Sequence, residues 1–350
     1  MTDLDDTHQA LDERRRVILH AVVTEYIADG HPVGSNRVVE VTGLDVSAAT
    51  VRNEMAALEE MGYLTQPHTS AGRIPTDLGY RYFVNDLGQR AEQEGQQREV
   101  VQELLGSAHD VEDLLARTTH VLTQLTRLVS LVIAPAMDAA RLRLVELLPM
   151  SASSAMLLMV TDTGRVDKRY ITFDESVRPD DLDRVRGVLA EHVRGHRMAE
   201  VTDVLRRIVD EAPAELRGIV SSLVEATSAN MVDDPVHKVF VGGRAALAGL
   251  GFEEEELSRV LGLLEEEVEL ARLLGIDDED AGDTGPRVLI GEENQVEELQ
   301  SAALVSQRYR LVSAGSVGVL GSTRMDYANV LSTVRSVADE LQQTLATLDD

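Results

Sequence analysis

Residues 43–76 constrain the fold more than any other part of the chain, because they combine a capped amphipathic helix with a hairpin. Ser47 is a good N-cap residue, since its hydroxyl can accept a backbone N–H at the start of a helix. Gly62 is placed to end that helix in the left-handed conformation. Between them, apolar residues recur at spacings of three and four, which is the inward stripe of an amphipathic helix; they are Ala48, Val51, Met55 and Leu58.

The opposite side of this helix carries residue types that suit the base edges of a DNA major groove. Arginine pairs with guanine, asparagine with adenine, and alanine or a threonine methyl contacts the thymine methyl. The pattern therefore predicts a recognition helix. Its predicted base-contacting residues are Ser47, Ala49, Thr50, Arg52 and Asn53.

A hairpin is predicted directly after the helix, from a strand at 63–65, a polar turn and a second strand at 74–75. Such a hairpin lies over DNA phosphates or a minor groove, and we expect Arg73 to be the cation at its tip. His68, Thr69 and Ser70 are predicted to hold the hairpin on the DNA backbone together with Arg73.

Two further helices precede the recognition helix. Leu11, Ile18, Val22 and Tyr26 mark one face of the first helix, which is expected to stop at 29–32. Ser35 is predicted to cap a short second helix over 36–41. The order of helix, short helix, turn, helix and hairpin is a helix-turn-helix variant, which predicts a winged DNA-binding domain. A small helical domain with an ordinary hairpin is the alternative.

The charge of the chain is unusual for a DNA-binding protein. Lys and Arg number 33 against 61 Asp and Glu, a net charge of −28, which argues against a general polyanion-binding surface. The first 90 residues hold 8 Arg and no Lys against 14 acidic residues. Local arginines must therefore supply the attraction; the candidates are the run 14–16, Arg37, Arg52, Arg73 and Arg81. For 14–16 a solvated helix face is an equal alternative.

The rest of the chain alternates between two periodicities. Strands are predicted at 128–134, 142–148 and 156–173, a mostly helical block at 178–274, strands again at 288–290, 309–313 and 316–320, and a closing helix at 327–348. Because the helical block lies between two sets of strands, the order of these elements indicates an insertion into a mixed α+β domain.

Motifs for chemistry are weak, so we predict no enzyme, no cofactor and no metal site. The chain has no Cys, which excludes disulfides and thiolate ligands. His192 and His196 lack a third ligand and are interpreted as surface residues. The glycines at 315, 318 and 321 span a strand, which favours close packing over phosphate binding. Residues 292–294 are interpreted as capping a strand end, and the acidic run 277–280 as a solvated loop.

Nothing in the sequence predicts export. There is no N-terminal apolar segment of the secretory type and no run of 18 apolar residues. We therefore expect a cytoplasmic protein.

Two separated parts of the chain resemble the heat-inducible transcription repressors (HrcA) of bacteria. The resemblance rests on residues 62–76, GYLTQPHTSAGRIPT, with 79–83, GYRYF, and on 290–294, IGEEN, with 318–327, GVLGSTRMDY. It implies an α+β protein: an N-terminal winged helix-turn-helix domain, then a GAF-like mixed α+β domain with an inserted, mostly helical dimerisation domain. The expected division is 1–87 for DNA binding, 88–98 for a linker, 99–177 and 284–350 for the GAF-like domain, and 178–283 for the insertion.

The resemblance also implies a function. A homodimer would bind double-stranded operator DNA at an inverted repeat of the CIRCE type, repress chaperonin and co-chaperone operons, and release them on heat stress, with the chaperonin as a modulating partner. A ligand-sensing winged-helix regulator with a small effector in the GAF-like domain is the alternative. An enzyme with a winged-helix appendage is a third, disfavoured by the lack of a nucleophile and base.

Overall fold

A computed structural model describes residues 11–68, 71–88, 95–106, 108, 111–135, 140–162, 164–233, 238–249, 254–274, 285–310 and 314–348. The α-helices are α1 Glu13–Asp29, α2 Ser35–Thr42, α3 Ala48–Glu60, α4 Asp77–Gly88, α5 Gly95–Leu105, α6 Val111–Thr126, α7 Pro179–His192, α8 Val201–Glu211, α9 Ala214–Asp233, α10 Glu254–Leu263, α11 Glu267–Leu273 and α12 Tyr327–Leu348. The strands are β1 Leu64–Thr65, β2 Ile74–Pro75, β3 Val129–Ile133, β4 Leu142–Ser151, β5 Ser154–Thr161, β6 Val166–Thr172, β7 Val239–Gly242, β8 Arg287–Ile290, β9 Ala302–Arg310 and β10 Ala314–Ser322.

The N-terminal unit, residues 11–88, packs α1, α2, α3 and α4 around one core beside the β1–β2 hairpin. Asp12 caps α1 by accepting the Arg15 N–H at 2.9 Å, and Gly30 ends the helix with a φ of 74°. The predicted inward stripe of α3 is confirmed, since Val51, Met55 and Leu58 are all buried. The N-cap of α2 is Gly34 and not Ser35, which is buried in the first turn.

The sheet unit is built on five antiparallel strands in the order β7-β3-β10-β9-β8. Helices cover both faces. Val132 and Val305 share a core with α5, α6 and α12, while Leu131 and Leu304, one residue away, pack with α10 and α11. This alternation follows from the two-residue period of a strand whose faces are both covered.

The boundary of the insertion differs from the prediction. We expected 99–177 to belong to the first part of the main domain and 178–283 to form the insertion. Instead β4, β5 and β6 form a separate three-stranded antiparallel sheet. This sheet shares its own core with α7, α8 and α9, and we call residues 140–233 the inserted unit. Conversely, β7 pairs with β3, so the chain has already returned to the sheet unit by residue 239.

The glycines of β10 have the packing role that the sequence predicted. A side chain at Gly315 would collide with the ring of Tyr309, and one at Gly318 with the side chain of Leu274. Gly321 packs in the same way against Leu128. The Tyr309 hydroxyl is buried and donates to the Ile133 carbonyl at 2.8 Å, which ties two strands of the sheet together.

Candidate nucleic-acid interface

One side of the first turns of α3 faces away from the protein core. The Ser47 hydroxyl accepts the Thr50 N–H at 3.1 Å, which confirms the predicted cap. The same hydroxyl lies 3.0 Å from the Thr50 hydroxyl. Ala49, Arg52 and Asn53 are exposed. Their spacing of three and four places them on one side of the helix, so the five predicted base-contacting residues lie together at the N-terminal half of α3.

Most arginines of the N-terminal unit are already paired with carboxylates of the protein. These pairs are Arg14 and Arg15 with Glu54, Arg16 with Glu13 and Asp86, Arg37 with Glu25 and Glu40, Arg73 with Glu59, and Arg81 with Glu293. Among the arginines that the structure describes in 11–88, only Arg52 has no acidic partner. The local positive charge expected from the other arginines is therefore largely neutralised within the protein.

The hairpin beside α3 is short and closed by its own hydrogen bonds. Leu64 pairs with Pro75 and Thr65 with Ile74. In the turn, the Gln66 side-chain amide donates to the Ala71 carbonyl at 2.8 Å. His68 is exposed in the turn. Thr69 and Ser70 lie outside the described residues.

Arg73 does not lie at the tip of the hairpin, and that prediction was wrong. Its backbone N–H and carbonyl each bond to Val33 at 2.9 Å, at the base of the turn. Its side chain runs back to α3, where Nη2 lies 2.8 Å and Nε 3.0 Å from Glu59 Oε2. The side chain is 15% exposed. Arg73 therefore joins the hairpin to the end of α3, a role that sequence analysis missed because Glu59 was not recognised as its partner.

A close backbone approach holds the same corner. Gly72 lies directly against the backbone of Val33, so any side chain there would collide with the Val33 carbonyl. The loop before α2 and the hairpin are consequently one rigid corner. This corner sets the position of the hairpin relative to α3.

The two histidines considered as metal ligands have ordinary local partners. His192 Nδ1 lies 3.1 Å from the Val188 carbonyl, and His196 Nδ1 lies 3.2 Å from Glu200 Oε2. Within the described ranges no group of three or more acidic, histidine or cysteine side chains could hold a metal ion. None of the described helices is both long and apolar enough to cross a membrane.

One open cavity of about 450 Å³ lies in the inserted unit, between 173–181 and α9. It is lined by charged groups that include Arg178, Asp181 and Glu215. Arg178 already donates to Asp181 at 2.8 and 3.1 Å.

A family model described as HrcA protein C terminal domain matches residues 112–331. Relatives named heat-inducible transcription repressor HrcA match over almost their whole length. The one from Streptomyces avermitilis is 40% identical, covering 96% of this chain and 99% of the relative. The one from Rhodococcus jostii is 38% identical, with 96% and 98% covered, and that from Thermobifida fusca is 38% identical, with 97% and 99% covered.

A solved structure shares the fold over the whole chain. It is reported as a crystal structure of a hypothetical protein at 2.2 Å resolution, is 25% identical to this chain and superposes with a TM-score of 0.69. The match covers 97% of this chain and 99% of the other. The arrangement of the sheet and inserted units is thus found in a second protein.

Proposed function

The chain belongs to the HrcA family of heat-inducible transcription repressors, and we propose that it represses its genes as a cytoplasmic homodimer bound to one inverted-repeat operator. Chaperonin and co-chaperone operons with an operator of the CIRCE type are the proposed targets, and the chaperonin is the proposed modulator. Family membership supports these assignments. The proposal gives the chain a binding function and no catalytic step.

The observation that carries DNA binding is the outward face of α3. We assign α2, the turn and α3 to a winged helix-turn-helix, with β1–β2 as its wing. Arg52 and Asn53 would contact base edges, together with Ser47, Ala49 and Thr50. His68, Thr69 and Ser70 would lie on the DNA backbone, while Arg73 would hold the wing in place through Glu59.

The ion pairs of the N-terminal unit make one copy a weak binder. Nonspecific affinity for DNA comes mostly from cations that neutralise phosphates, and here most described arginines of 11–88 are paired with carboxylates. Two linked copies gain affinity because the second half-site binds intramolecularly. Dimerisation is therefore required for tight operator binding. The sheet unit would be a GAF-like scaffold that connects the DNA-binding unit to the dimerisation domain.

The inserted unit is the proposed dimerisation domain, and its sheet has an open apolar face. The apolar stripes of α7, α8 and α9 are buried against the inner face of the sheet, so they are not available for a dimer contact. On the outer face, Tyr170 is 76% and Val166 50% exposed, and neighbouring Met150 is 59% exposed. Apolar patches of this kind on otherwise polar proteins mark interaction surfaces.

The pattern of this outer face is self-complementary. Its three cross-strand rows are Leu144, Val160 and Val166; Glu146, Leu158 and Lys168; and Leu148, Met156 and Tyr170. A twofold axis along β5 would place β4 of one copy opposite β6 of the other. Glu146 would then face Lys168 of the second copy twice, on either side of an apolar centre. Such an isologous contact matches the twofold symmetry of an inverted repeat.

Footprinting on the promoters of this organism's chaperonin genes tests the proposed function. We expect the purified chain to protect one inverted repeat. The Arg52→Ala variant should lose that protection, and Arg310→Ala, which changes an exposed arginine in the sheet unit, should keep it. Protection that is absent for the wild type, or equal on scrambled DNA, would contradict the proposal.

A further inference from the structure

Three of the segments that carry the resemblance, 79–83, 290–294 and 318–327, meet where the N-terminal unit contacts the sheet unit. The start of α4 lies against the turn after β8 and the loop before α12. We call this contact the joint. Its residues are Gly30, Asp77, Tyr80 and Arg81 of the N-terminal unit and Gly291, Glu293, Arg324 and Tyr327 of the sheet unit.

Arg81 attaches α4 to two points of the sheet unit. Its Nε donates to Glu293 Oε1 at 2.7 Å, and its Nη2 donates both to the Val288 carbonyl at 2.7 Å and to Glu293 Oε2. Glu293 Oε2 also accepts the Ile290 N–H at 2.9 Å. The guanidinium therefore contacts both the end of β8 and the turn that follows, which fixes its direction as well as its position.

Each unit inserts a charged side chain against a glycine of the other. The Asp77 carboxylate occupies the space where a side chain at Gly291 would lie, and it accepts the Glu292 N–H at 3.1 Å. The Arg324 guanidinium occupies the corresponding space at Gly30, which ends α1. Both glycines have positive φ, at 55° and 74°. The two insertions run in opposite directions across the contact, so the units cannot slide past each other without withdrawing a charge.

Buried groups back the joint on its inner side. The rings of Tyr80 and Tyr327 lie 5.9 Å apart, and both side chains are almost fully buried. The Tyr327 hydroxyl donates to the Thr323 carbonyl at 2.8 Å. Asn294 supports the turn, since its amide donates to the carbonyls of Gly291, Leu299 and Ala302 at 3.0–3.1 Å.

We propose that the joint holds the DNA-binding unit in one orientation on the sheet unit, so that the dimer presents its two α3 helices at a single spacing and accepts one operator spacer length. Domains joined by small polar contacts move relative to each other by default. Here an ion pair, two insertions and a buried ring pair oppose that motion. The inference rests on the proposed function, and Asp77, Arg81, Glu293 and Arg324 act as positioning residues without touching DNA.

A distance measurement tests the joint without DNA. The chain has no Cys, so Glu60→Cys on the exposed end of α3 gives one nitroxide label per copy and one distance per dimer. We expect double electron–electron resonance to show a narrow distribution in the otherwise unchanged protein. Arg81→Glu should broaden it, because the new carboxylate would repel the carboxylate of Glu293. Arg310→Glu makes the same charge change outside the joint and should leave it narrow.

Two results of this measurement would overturn the inference: a broad distribution before the joint is altered, or a narrow one in folded Arg81→Glu dimers. Light scattering and circular dichroism identify folded dimers. If Arg81→Glu does not fold, Glu293→Gln takes its place, with the adjacent exposed Glu292→Gln as the matched control. A narrow distribution in Glu293→Gln would then overturn the inference.

Operator variants test the consequence for DNA. Lengthening the spacer by about 5 base pairs turns one half-site by about half a helical turn. The wild type should lose about 100-fold in affinity, because only one half-site remains in reach. Arg81→Glu should lose less than about tenfold relative to its own affinity for the natural spacer, while both proteins bind an isolated half-site equally.

The two proposals fail in different ways. A wild type that binds no operator overturns the proposed function, whereas the label distances still decide whether the joint is rigid. An Arg81→Glu protein that remains as strict about spacer length as the wild type overturns the inference alone.

Discussion

Arg73 and Glu59 join the hairpin to the last turn of α3 through a single carboxylate oxygen, which lies 2.8 Å from Nη2 and 3.0 Å from Nε of the arginine. The arginine is held from the other side by its two backbone bonds to Val33. A side chain engaged in this way sets the angle between the hairpin and α3. It is not free to reach for a phosphate.

The first prediction separates these two roles of Arg73. If it positions the hairpin, Glu59→Gln and Arg73→Gln should both weaken operator binding, each by about 1 kcal/mol, in keeping with a partly exposed ion pair. If it contacts phosphate, Glu59→Gln should instead strengthen binding, because it frees the cation. Titrations at several salt concentrations distinguish the cases, since loss of a phosphate contact also makes the salt dependence shallower.

The second prediction concerns base recognition by α3. Arg52→Ala or Asn53→Ala should weaken binding to the operator by roughly 1–3 kcal/mol and reduce the difference in affinity between operator and scrambled DNA. Both side chains are exposed on α3 and can be removed without loss of core packing. Binding to operator and scrambled duplexes is the measurement, with Arg310→Ala as the control. Full operator preference in either variant would show that bases are read elsewhere.

The third prediction concerns the dimer. Tyr170→Asp should shift the protein to a monomer at micromolar concentration, because it places a charge in the apolar face of the inserted sheet. Leu261→Asp, at an exposed apolar position of α10, should leave the dimer intact. Light scattering measures the mass of each variant, and a dimeric Tyr170→Asp protein would exclude this face.

Lys168 tests the orientation of the two copies. With the twofold axis along β5, Lys168→Glu would face Glu146 of the second copy twice and should weaken the dimer. With the axis across the strands, Lys168 would face its own counterpart, and the substitution should have little effect. The dissociation constant from sedimentation separates the two arrangements.

The fourth prediction compares two glycines. Gly318→Ala should destabilise the protein by about 1–3 kcal/mol, because its methyl would overlap Leu274 in a packed core. Gly187→Ala, in the middle of α7 with nothing within 4 Å of the new atom, should stabilise it by about 0.5–1 kcal/mol. Urea denaturation measures both. A stabilised Gly318→Ala protein would show that the core around Leu274 is loose.

The fifth prediction concerns acid. Hydrogen bonds from Arg178 hold the pKa of Asp181 below its ordinary value. The charged carboxylate of Asp181 is thus favoured in the folded state. Its contribution to the stability of the folded protein is complete above pH about 4 and is lost as the pH falls through the lowered pKa. Asp181→Asn should lower the melting temperature at pH 7. Between pH 5 and 3, the melting temperature of this variant should fall less than that of the wild type. Asp210→Asn, an exposed position in α8, should follow the wild type.

Local signals made the N-terminal unit predictable. The cap at Ser47, the left-handed glycine at 62 and the buried stripe of α3 all depend on neighbours within a few positions. The structure agrees with each of them. The hydrogen bonds of such caps form within one helical turn, so the residue types carry the information themselves.

Long-range partners were not predictable in the same way. The apolar runs in 142–173 predicted strands, but they do not say which strand lies next to which. The segments that form β4, β5 and β6 were therefore assigned to the main domain, whereas they form a sheet of their own. Arg81 and Glu293 are 212 positions apart. Arginines close to a predicted recognition helix, such as Arg73 and Arg81, suggest phosphate binding as long as the carboxylates that pair with them are unknown.

The internal ion pairs of the N-terminal unit also affect how the protein is distributed in a cell. A regulator with many free cations spends most of its time on random chromosomal DNA, which offers a vast excess of competing sites. In the described part of the N-terminal unit, the arginines that are engaged by Glu13, Glu25, Glu54 and Glu59 add little to that background attraction. For the proposed dimer, more molecules would then remain unbound, so occupancy of the operator would follow the number of intact dimers closely. A modest loss of dimers would lower that occupancy, because few copies bound elsewhere on the chromosome could replace them.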